Sequence, residues 1–469
     1  MKFDSTIFKK ASLAILLVFT LSACMQEDLM EEQANIINVG GGNSNNAMLS
    51  NTPNSTNNTT VSKSQIVVKY KNPNITEPQK QAIRGLQQEL GHFIITQVET
   101  CNCDLKDLEL WTITPSSSAF IGIEDILKSM KNNEEEGDMA GDHQFFFNVS
   151  TVRTPCKSIA EGIHSWLAPA NPNDLKVAII DTGLDYDFLP RPLLHDSSDD
   201  PICNEGISGW DFVNNDNDPM DDHYHGTLVS QVIVKSMDAR QVPFQLIPLK
   251  AFNDKGRGNY FDVACAIRYI LEKGDIDLVN MSFGWDEVQY ANIMKNMMDE
   301  MSETTLFVAS AGNNGRDTDS QGDGHFPSSY ESDNLLTVAG YSPATGPLNT
   351  VPHHNGTGQL IGIEVDPFSN FGQYSIDLAA PFVHNITMSQ CGEEGFIEEV
   401  VTRVGGTSYS APFVVSRAGY YLWQDQTSTP AKLKAETVSS GYVAPGLANK
   451  LSQNIAISNN INQYVPISY

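Results

Sequence analysis

Leu175-Lys176-Val177-Ala178-Ile179-Ile180 runs directly into Asp181-Thr182-Gly183. An unbroken apolar run rich in β-branched residues is what a strand buried on both faces of a parallel sheet requires. Its abrupt end in a carboxylate matters, because open α/β sheets collect reactive groups beyond the carboxyl ends of their strands. The pattern continues downstream. Helical periodicity at His225–Val234, Phe261–Lys273 (closed by Gly274) and Gln289–Met301 interleaves with apolar strands at Gln245–Lys250, Leu278–Met281 and Leu306–Ser310. Further strands are expected at Leu335–Ala339 and Ser375–Leu378, before a long final helix. Strands alternating with helices define an α/β class, a mostly parallel sheet with helices on both faces.

Three more element boundaries carry chemistry. In Gly405-Gly406-Thr407-Ser408-Tyr409-Ser410-Ala411-Pro412 a serine sits where a glycine-rich loop becomes a helix. The free N–H groups and positive dipole end of such a start favour an anion, such as the oxyanion formed if Ser408 attacks a carbonyl. His225, in Tyr224-His225-Gly226-Thr227, opens another helix, a position that disfavours its charged form and suits a base near neutral pH. Asn313 follows a strand in Ser310-Ala311-Gly312-Asn313-Asn314-Gly315. Singly, these residues read as a cap, a satisfied histidine and a turn. Together with Asp181 they supply an orienting acid, a base, an oxyanion donor and a nucleophile.

The ordered set Asp181-Thr182-Gly183-Leu184, His225-Gly226-Thr227, Ala311-Gly312-Asn313-Asn314-Gly315 and Gly406-Thr407-Ser408-Tyr409-Ser410-Ala411-Pro412 resembles the subtilisin-like serine proteases, the subtilases. Asn280-Met281-Ser282-Phe283-Gly284, Phe368-Ser369-Asn370-Phe371-Gly372 and Asp377-Leu378-Ala379-Ala380-Pro381 are similar to other family stretches. The resemblance implies a serine endopeptidase with an acyl-enzyme intermediate. Ser408 would be the nucleophile, His225 the base, Asp181 its orienting acid, and Asn313 with the Ser408 N–H the oxyanion site. It also implies a substrate held as an extended strand between Ser282-Phe283-Gly284 and Gly256-Arg257-Gly258. Ser310, Ala311 and Gly312 would line the first specificity pocket, with His325 at its base. The chain departs from the family pattern at Tyr224, Leu228, Tyr409, Ser410 and Phe382, none of which removes a catalytic atom. A catalytically idle binding or scaffold protein on the same fold is the competing reading. An esterase is disfavoured by the order of the three residues and by the lack of a Gly-x-Ser-x-Gly elbow.

The amino-terminal region reads as export and inhibition. Lys2, Lys9 and Lys10 precede an apolar stretch, Ala11–Leu21, too short to span a bilayer, so a cleaved signal is expected. Leu21-Ser22-Ala23-Cys24 resembles a bacterial lipobox, which implies removal of 1–23 and a lipid on Cys24. With acidic residues next (Glu27, Asp28, Glu31, Glu32), this points to the outer membrane or cell surface. Residues 24–64 have the composition of a flexible tether. Residues 65–150 read as βαββαβ, a ferredoxin-like unit without clustered catalytic types. The strands fall at 65–70, 92–100, 108–113 and 144–149 and the helices at 76–90 and 121–130. By topology and position the unit resembles a subtilase propeptide, an inhibitor and folding chaperone, with cleavage expected near 150–160. Residues 151–469 remain as the catalytic domain.

Lys and Arg number 29 against 57 Asp and Glu, so 29 − 57 = −28, which argues against nucleic acid or an anionic membrane surface as a partner. The partners expected are protein or peptide substrates, the chain's own propeptide, and a membrane only through the lipid. No cofactor is needed for the chemistry. Asn214, Asn215, Asp216, Asn217, Asp218, Asp221 and Asp222 crowd oxygen ligands as calcium prefers, or form a solvated acidic loop; EF-hand spacing is not present. Besides Cys24 there are Cys101, Cys103, Cys156, Cys203, Cys265 and Cys391, for which about 15 pairings are possible. Cys265 lies in an apolar helical run and reads as a buried free thiol. The Cys101/Cys103 spacing, with no second pair, does not suggest zinc.

Overall fold

The computed structural model describes residues 48–49 and 59–458, apart from 102, 104, 133–137, 151–167, 169–170, 172, 187–188, 190, 201, 204–208, 289–290, 345–351 and 392–396. The signal segment, Cys24, Cys156 and nearly all of the expected cleavage stretch lie outside the described residues.

The first folded unit comprises β1 (Thr60–Tyr70), α1 (Glu77–Gly91), β2 (Phe93–Thr100), β3 (Leu108–Pro115), α2 (Ile123–Asn132) and β4 (Met139–Asn148). Its sheet has the order β2-β3-β1-β4, antiparallel throughout. Two boundaries differ from expectation. Strand β1 starts at Thr60, so part of the presumed tether is folded, because Thr60 and Val61 pair with Phe146 and Phe145. Strand β4 starts at Met139 rather than 144, since its polar Asp142 and His143 are carried by backbone pairing with Val67 and Ile66. Helix α1 begins after Thr76, whose N–H donates to Gln79 Oε1 at 2.9 Å, half of a capping box. Under this helix Glu109 is fully buried. It accepts from Trp111 Nε1 (2.7 Å) and Tyr70 Oη (2.9 Å) and pairs with Lys80 (2.9 Å) and Arg84 (2.6 Å).

The larger unit is built on β5 (Leu175–Asp181), α3 (His225–Asp238), β6 (Phe244–Lys250), β7 (Arg257–Asn259), α4 (Tyr260–Lys273), β8 (Leu278–Met281), α5 (Ile293–Glu300), β9 (Leu306–Ser310), β10 (Leu335–Pro343), β11 (Leu378–Pro381), β12 (Val383–Cys391), β13 (Ile397–Gly405), α6 (Thr407–Gln424) and α7 (Pro430–Ser439). A ten-stranded sheet contains the parallel series β11-β10-β9-β8-β5-β6. Helices α3 and α6 pack on one face, α4 and α5 on the other, and the apolar strands form a core on both sides. The α/β architecture is therefore the one the alternation requires. Three details differ. Helix α5 begins at Ile293 rather than Gln289. Strand β11 is Leu378–Pro381 rather than Ser375–Leu378, because Asp377 is spent on Thr337, accepting from its N–H at 2.9 Å. The antiparallel pair β12/β13 carries no signal that was read from the sequence.

The two units share one core. Strand β4 adds antiparallel to β7, pairing Phe146 with Asn259, Phe147 with Gly258 and Asn148 with Arg257. Phe145 and Phe147 pack with Phe252, Tyr260, Phe283 and Trp285. Polar contacts match this apolar seam. Arg268 Nε donates to Asp107 (2.8 Å), Tyr260 Oη to Asp142 (2.8 Å), and the Phe261 N–H to Gln144 Oε1 (3.1 Å). Two disulfides cross it, Cys101–Cys265 with Cα atoms 5.6 Å apart and Cys103–Cys203 at 4.9 Å. Cys265 is thus buried, as its surroundings suggested, but is not a free thiol. The small sheet resting on α4 brings Cys101 to it.

Candidate active site

Asp181 is the last residue of β5 and His225 the first of α3, and both are fully buried. His225 Nδ1 lies 2.8 Å from Asp181 Oδ1, which also accepts the Thr182 N–H at 2.7 Å. A carboxylate can only accept here, so Nδ1 is the donor, and in the neutral imidazole Nε2 presents the lone pair. Among the described residues Nε2 has no hydrogen-bond partner.

The neighbouring groups explain this pose. Thr182 Oγ1 accepts the Gly226 N–H (2.8 Å), stapling the strand end to the helix start. Buried Lys250, the last residue of β6, donates to the carbonyls of Thr182 (2.8 Å) and Phe252 (3.2 Å) and pairs with Asp222. Asp221 accepts the N–H groups of Tyr224 (2.7 Å) and Thr227 (2.9 Å), which satisfies donors at the start of α3. Reading for catalytic types missed Lys250 and Asp221. The one available signal was a lysine closing an otherwise apolar strand.

Ser408 lies in the first turn of α6, where its N–H has no intrahelical acceptor. Its hydroxyl donates to the Ser282 carbonyl at 3.2 Å rather than to His225. In return, Ser282 Oγ donates to the Ser408 carbonyl at 2.8 Å. The second bond has a covalent cause. Pro412 stands four residues on, lacks an N–H, and so leaves the Ser408 carbonyl without its helical donor. Asn280 Nδ2 holds the Ser282 hydroxyl in place at 2.9 Å.

Asn313 Oδ1 accepts from Thr407 N–H (2.9 Å) and Thr407 Oγ1 (3.0 Å). A backbone N–H can only donate, so the amide oxygen faces Thr407 and the NH2 group points away from it. Asn370 braces this loop, accepting from Asn314 N–H (3.0 Å) and Arg316 N–H (3.2 Å) and donating to the Ala311 carbonyl (2.9 Å).

A small recess brings together Ser282, Phe283, Gly284, Ser310, Gly312, Asn313, His325 and Ser408, with Asn148, Val149 and Ser150 of the first unit. Ala311 is a correction. Successive residues face opposite ways, so its methyl joins Ala339 and Ala379 in a small core instead of lining the recess. Gly256, Arg257 and Gly258 are not among the residues lining the recess: Arg257 and Gly258 belong to β7, which pairs with β4, and Gly256 immediately precedes it. The Val149 N–H donates to the Gly256 carbonyl at 2.8 Å, and the Arg257 guanidinium lies over the Phe146 ring at 4.6 Å. His223 was overlooked. Its ring sits 6.4 Å from that of His225, and burial, then the charge of His225, push its imidazole below the ordinary value. The departures from the family pattern fill space, as where the Tyr409 ring packs 5.9 Å from His225 and Phe382 packs over Gly340.

The oxygen-rich loop is spent locally. Asp216 Oδ1 accepts the Asp218 N–H (3.0 Å) and Asp218 Oδ1 accepts from Tyr186 Oη (3.2 Å). No group of three or more His, Cys, Asp or Glu side chains is gathered as a metal site among the described residues.

The hydrogen-bonded Asp181–His225 pair stands at the carboxyl end of β5 in an α/β protein, and Ser408 and Asn313 line one recess. A family model described as the subtilase family matches residues 173–458, and the chain belongs to that family. It is 25% identical over 313 residues to a thermophilic serine proteinase of Bacillus sp. (strain AK1), covering 65% of each chain. It is 28% identical over 279 residues to halolysin of Haloferax mediterranei, covering 58% of this chain and 45% of that protein. The chain thus spans 65% and 45% of these relatives' lengths. A solved structure, a cold adapted subtilisin-like serine proteinase, matches with 19% identity and a TM-score of 0.40, covering 63% of this chain and 97% of that one.

Proposed function

We propose that this chain is a serine endopeptidase. The observation that carries the reading is the buried Asp181–His225 hydrogen bond of 2.8 Å, which leaves Nε2 without a partner among the described residues, with Ser408 in the first turn of α6. Ser408 has a single side-chain torsion and, in this reading, would turn from Ser282 toward His225 to make the relay; such bonds are often unmade in the absence of substrate. His225 then takes the serine proton as Oγ attacks a peptide carbonyl and returns it to the leaving amine. Asp181 holds the tautomer and stabilises the cation. The Ser408 N–H and the Asn313 amide receive the oxyanion. A serine-directed phosphonate tests this. It should label the wild type and not Ser408→Ala; no label on either would favour a catalytically idle binding or scaffold protein.

The unit from Thr60 to Ser150 acts, in this reading, as a propeptide. Supporting it, β4 occupies the strand position a substrate would take beside β7, and Ser150 reaches the recess with Ser408. The bond cut would be Ser150–Thr151, so sequencing the large fragment should begin at Thr151, and Ser408→Ala should stay intact. A lipid on Cys24 would place the protein at the outer membrane or cell surface. Radiolabelled palmitate incorporated by the wild type and lost in Cys24→Ala would support that anchor.

A further inference from the structure

Both disulfides leave the first unit from one short stretch, Cys101 and Cys103, which follows β2. Both partners, Cys265 on α4 and Cys203, belong to the larger unit. Among the described residues no bridge lies within either unit. Neither unit needs one to gather a core. The first has its own, with Ile66, Val68, Phe93, Trp111 and Leu127, and the larger packs both faces of its sheet. A bridge inside a unit would stabilise that unit by restricting its unfolded chain. These two instead span the boundary that hydrolysis after Ser150 turns into an interface between separate chains. The other contacts there are reversible: the pairing of β4 with β7, the aromatic seam, and the Arg268–Asp107 ion pair. The bridges also differ in access. Cys101 and Cys265 are 6% and 2% exposed, whereas Cys103 is half-buried. Exchange starts with a thiolate attacking a disulfide sulfur, so the more accessible bridge reacts first.

We propose that the two disulfides are a redox latch on the active site. A dithiol reductant opens Cys103–Cys203, then Cys101–Cys265, and the first unit leaves with Asn148, Val149 and Ser150, which line the recess beside Ser408. Each opening is a complete exchange. One thiolate of the dithiol attacks a bridge sulfur, the S–S bond breaks, and the departing cysteine sulfur takes a proton. The second thiol then displaces the other cysteine from the mixed disulfide. Each bridge gains two electrons and ends as a pair of thiols, and each dithiol consumed ends as a disulfide. Cutting the backbone is then the first of two steps, and reduction is the one that uncovers the site. The inference rests on the endopeptidase reading of Ser408 and on the first unit acting as its propeptide.

The test uses the full chain after its own cut, kept oxidised, then passed through a gel-filtration column with or without dithiothreitol. Hydrolysis of a peptide substrate and the rate of phosphonate labelling at Ser408 are measured on the fraction holding the larger piece. Both should rise about 100-fold with dithiothreitol, the lower end of what a covalent tether adds to apparent affinity. Alkylation followed by mass spectrometry should find Cys103 and Cys203 modified before Cys101 and Cys265. The double variant Cys101→Ser/Cys103→Ser should be active without dithiothreitol and indifferent to it. Should that variant not fold, the activity and the order of alkylation in the wild type remain. Equal hydrolysis and equal labelling in the oxidised and reduced wild type overturn the latch while leaving the endopeptidase intact, as does separation of the pieces in dithiothreitol without a rise in either rate of an enzyme already labelled when oxidised. No hydrolysis and no label in either state overturn the endopeptidase reading itself.

Discussion

Asn313 has two tasks that can be separated by substitution. Its oxygen accepts from the fully buried Thr407, through N–H at 2.9 Å and Oγ1 at 3.0 Å, and on the proposed endopeptidase reading its NH2 would serve the oxyanion. Asn313→Ala removes both. Loss of one oxyanion donor lowers kcat about 10²–10³-fold, or roughly 2.7–4 kcal/mol, with little change in KM because the donor acts on the transition state. Leaving the buried Thr407 N–H without an acceptor costs about 1–3 kcal/mol of stability, a Tm lower by a few degrees. Asn313→Asp keeps the acceptor and loses the donor. Its kcat should fall at least as far, with a Tm close to the wild type. Steady-state kinetics on a peptide substrate and scanning calorimetry measure the two effects separately. The reasoning fails if Asn313→Ala keeps more than about a tenth of kcat, or if Asp destabilises as much as Ala.

Three further outcomes follow from the geometry. Ser282→Ala strands the Ser408 carbonyl and should cost about 1–3 kcal/mol. Adding Pro412→Ala restores a helical donor, so the double variant should be more stable than Ser282→Ala alone, and additive losses in a double-mutant cycle would contradict the link. Burial alone would raise the Glu109 carboxyl, but hydrogen bonds from Arg84, Trp111 and Lys80 outweigh it and hold it below the ordinary 4.5. A depressed carboxyl stabilises fully above its unfolded value and loses that contribution as pH falls through the folded one. Hydrogen-exchange protection across Thr60–Asn148, corrected for the intrinsic pH dependence of exchange, should therefore be full above about pH 4.5 and fall below it; in Glu109→Gln it should be lower at neutral pH, with little further change on acidification. After cleavage between 150 and 168, the two fragments should run together on a denaturing gel and part only with reductant. Separation without reductant would contradict both disulfides.

The parallel sheet is legible because β5 and its neighbours are buried on both faces, and that demand leaves an unbroken apolar run. The residues at the rim are legible for a related reason: Asp181, His225, Asn313 and Ser408 all stand where an element starts or ends. What escapes is set by partners distant in sequence. Cys265 has the surroundings of a core residue, and nothing in its helix reveals Cys101, 164 positions away. Ala311 was placed in the recess with Ser310 and Gly312, yet alternation turns it into the core. The exchange between Ser282 and Ser408 depends on a missing proton donor at Pro412, visible in the sequence only once the helix register is known.

The disulfides change what a backbone cut accomplishes. Hydrolysis after Ser150 would divide the chain without dividing the molecule, since two sulfur bridges still join the pieces. If the first unit acts as the proposed inhibitor, it is then never diluted; its local concentration is set by molecular geometry rather than by abundance. A lipid at Cys24 would moor both fragments alike, so freedom for the larger one would require destroying the smaller or breaking both sulfur–sulfur links.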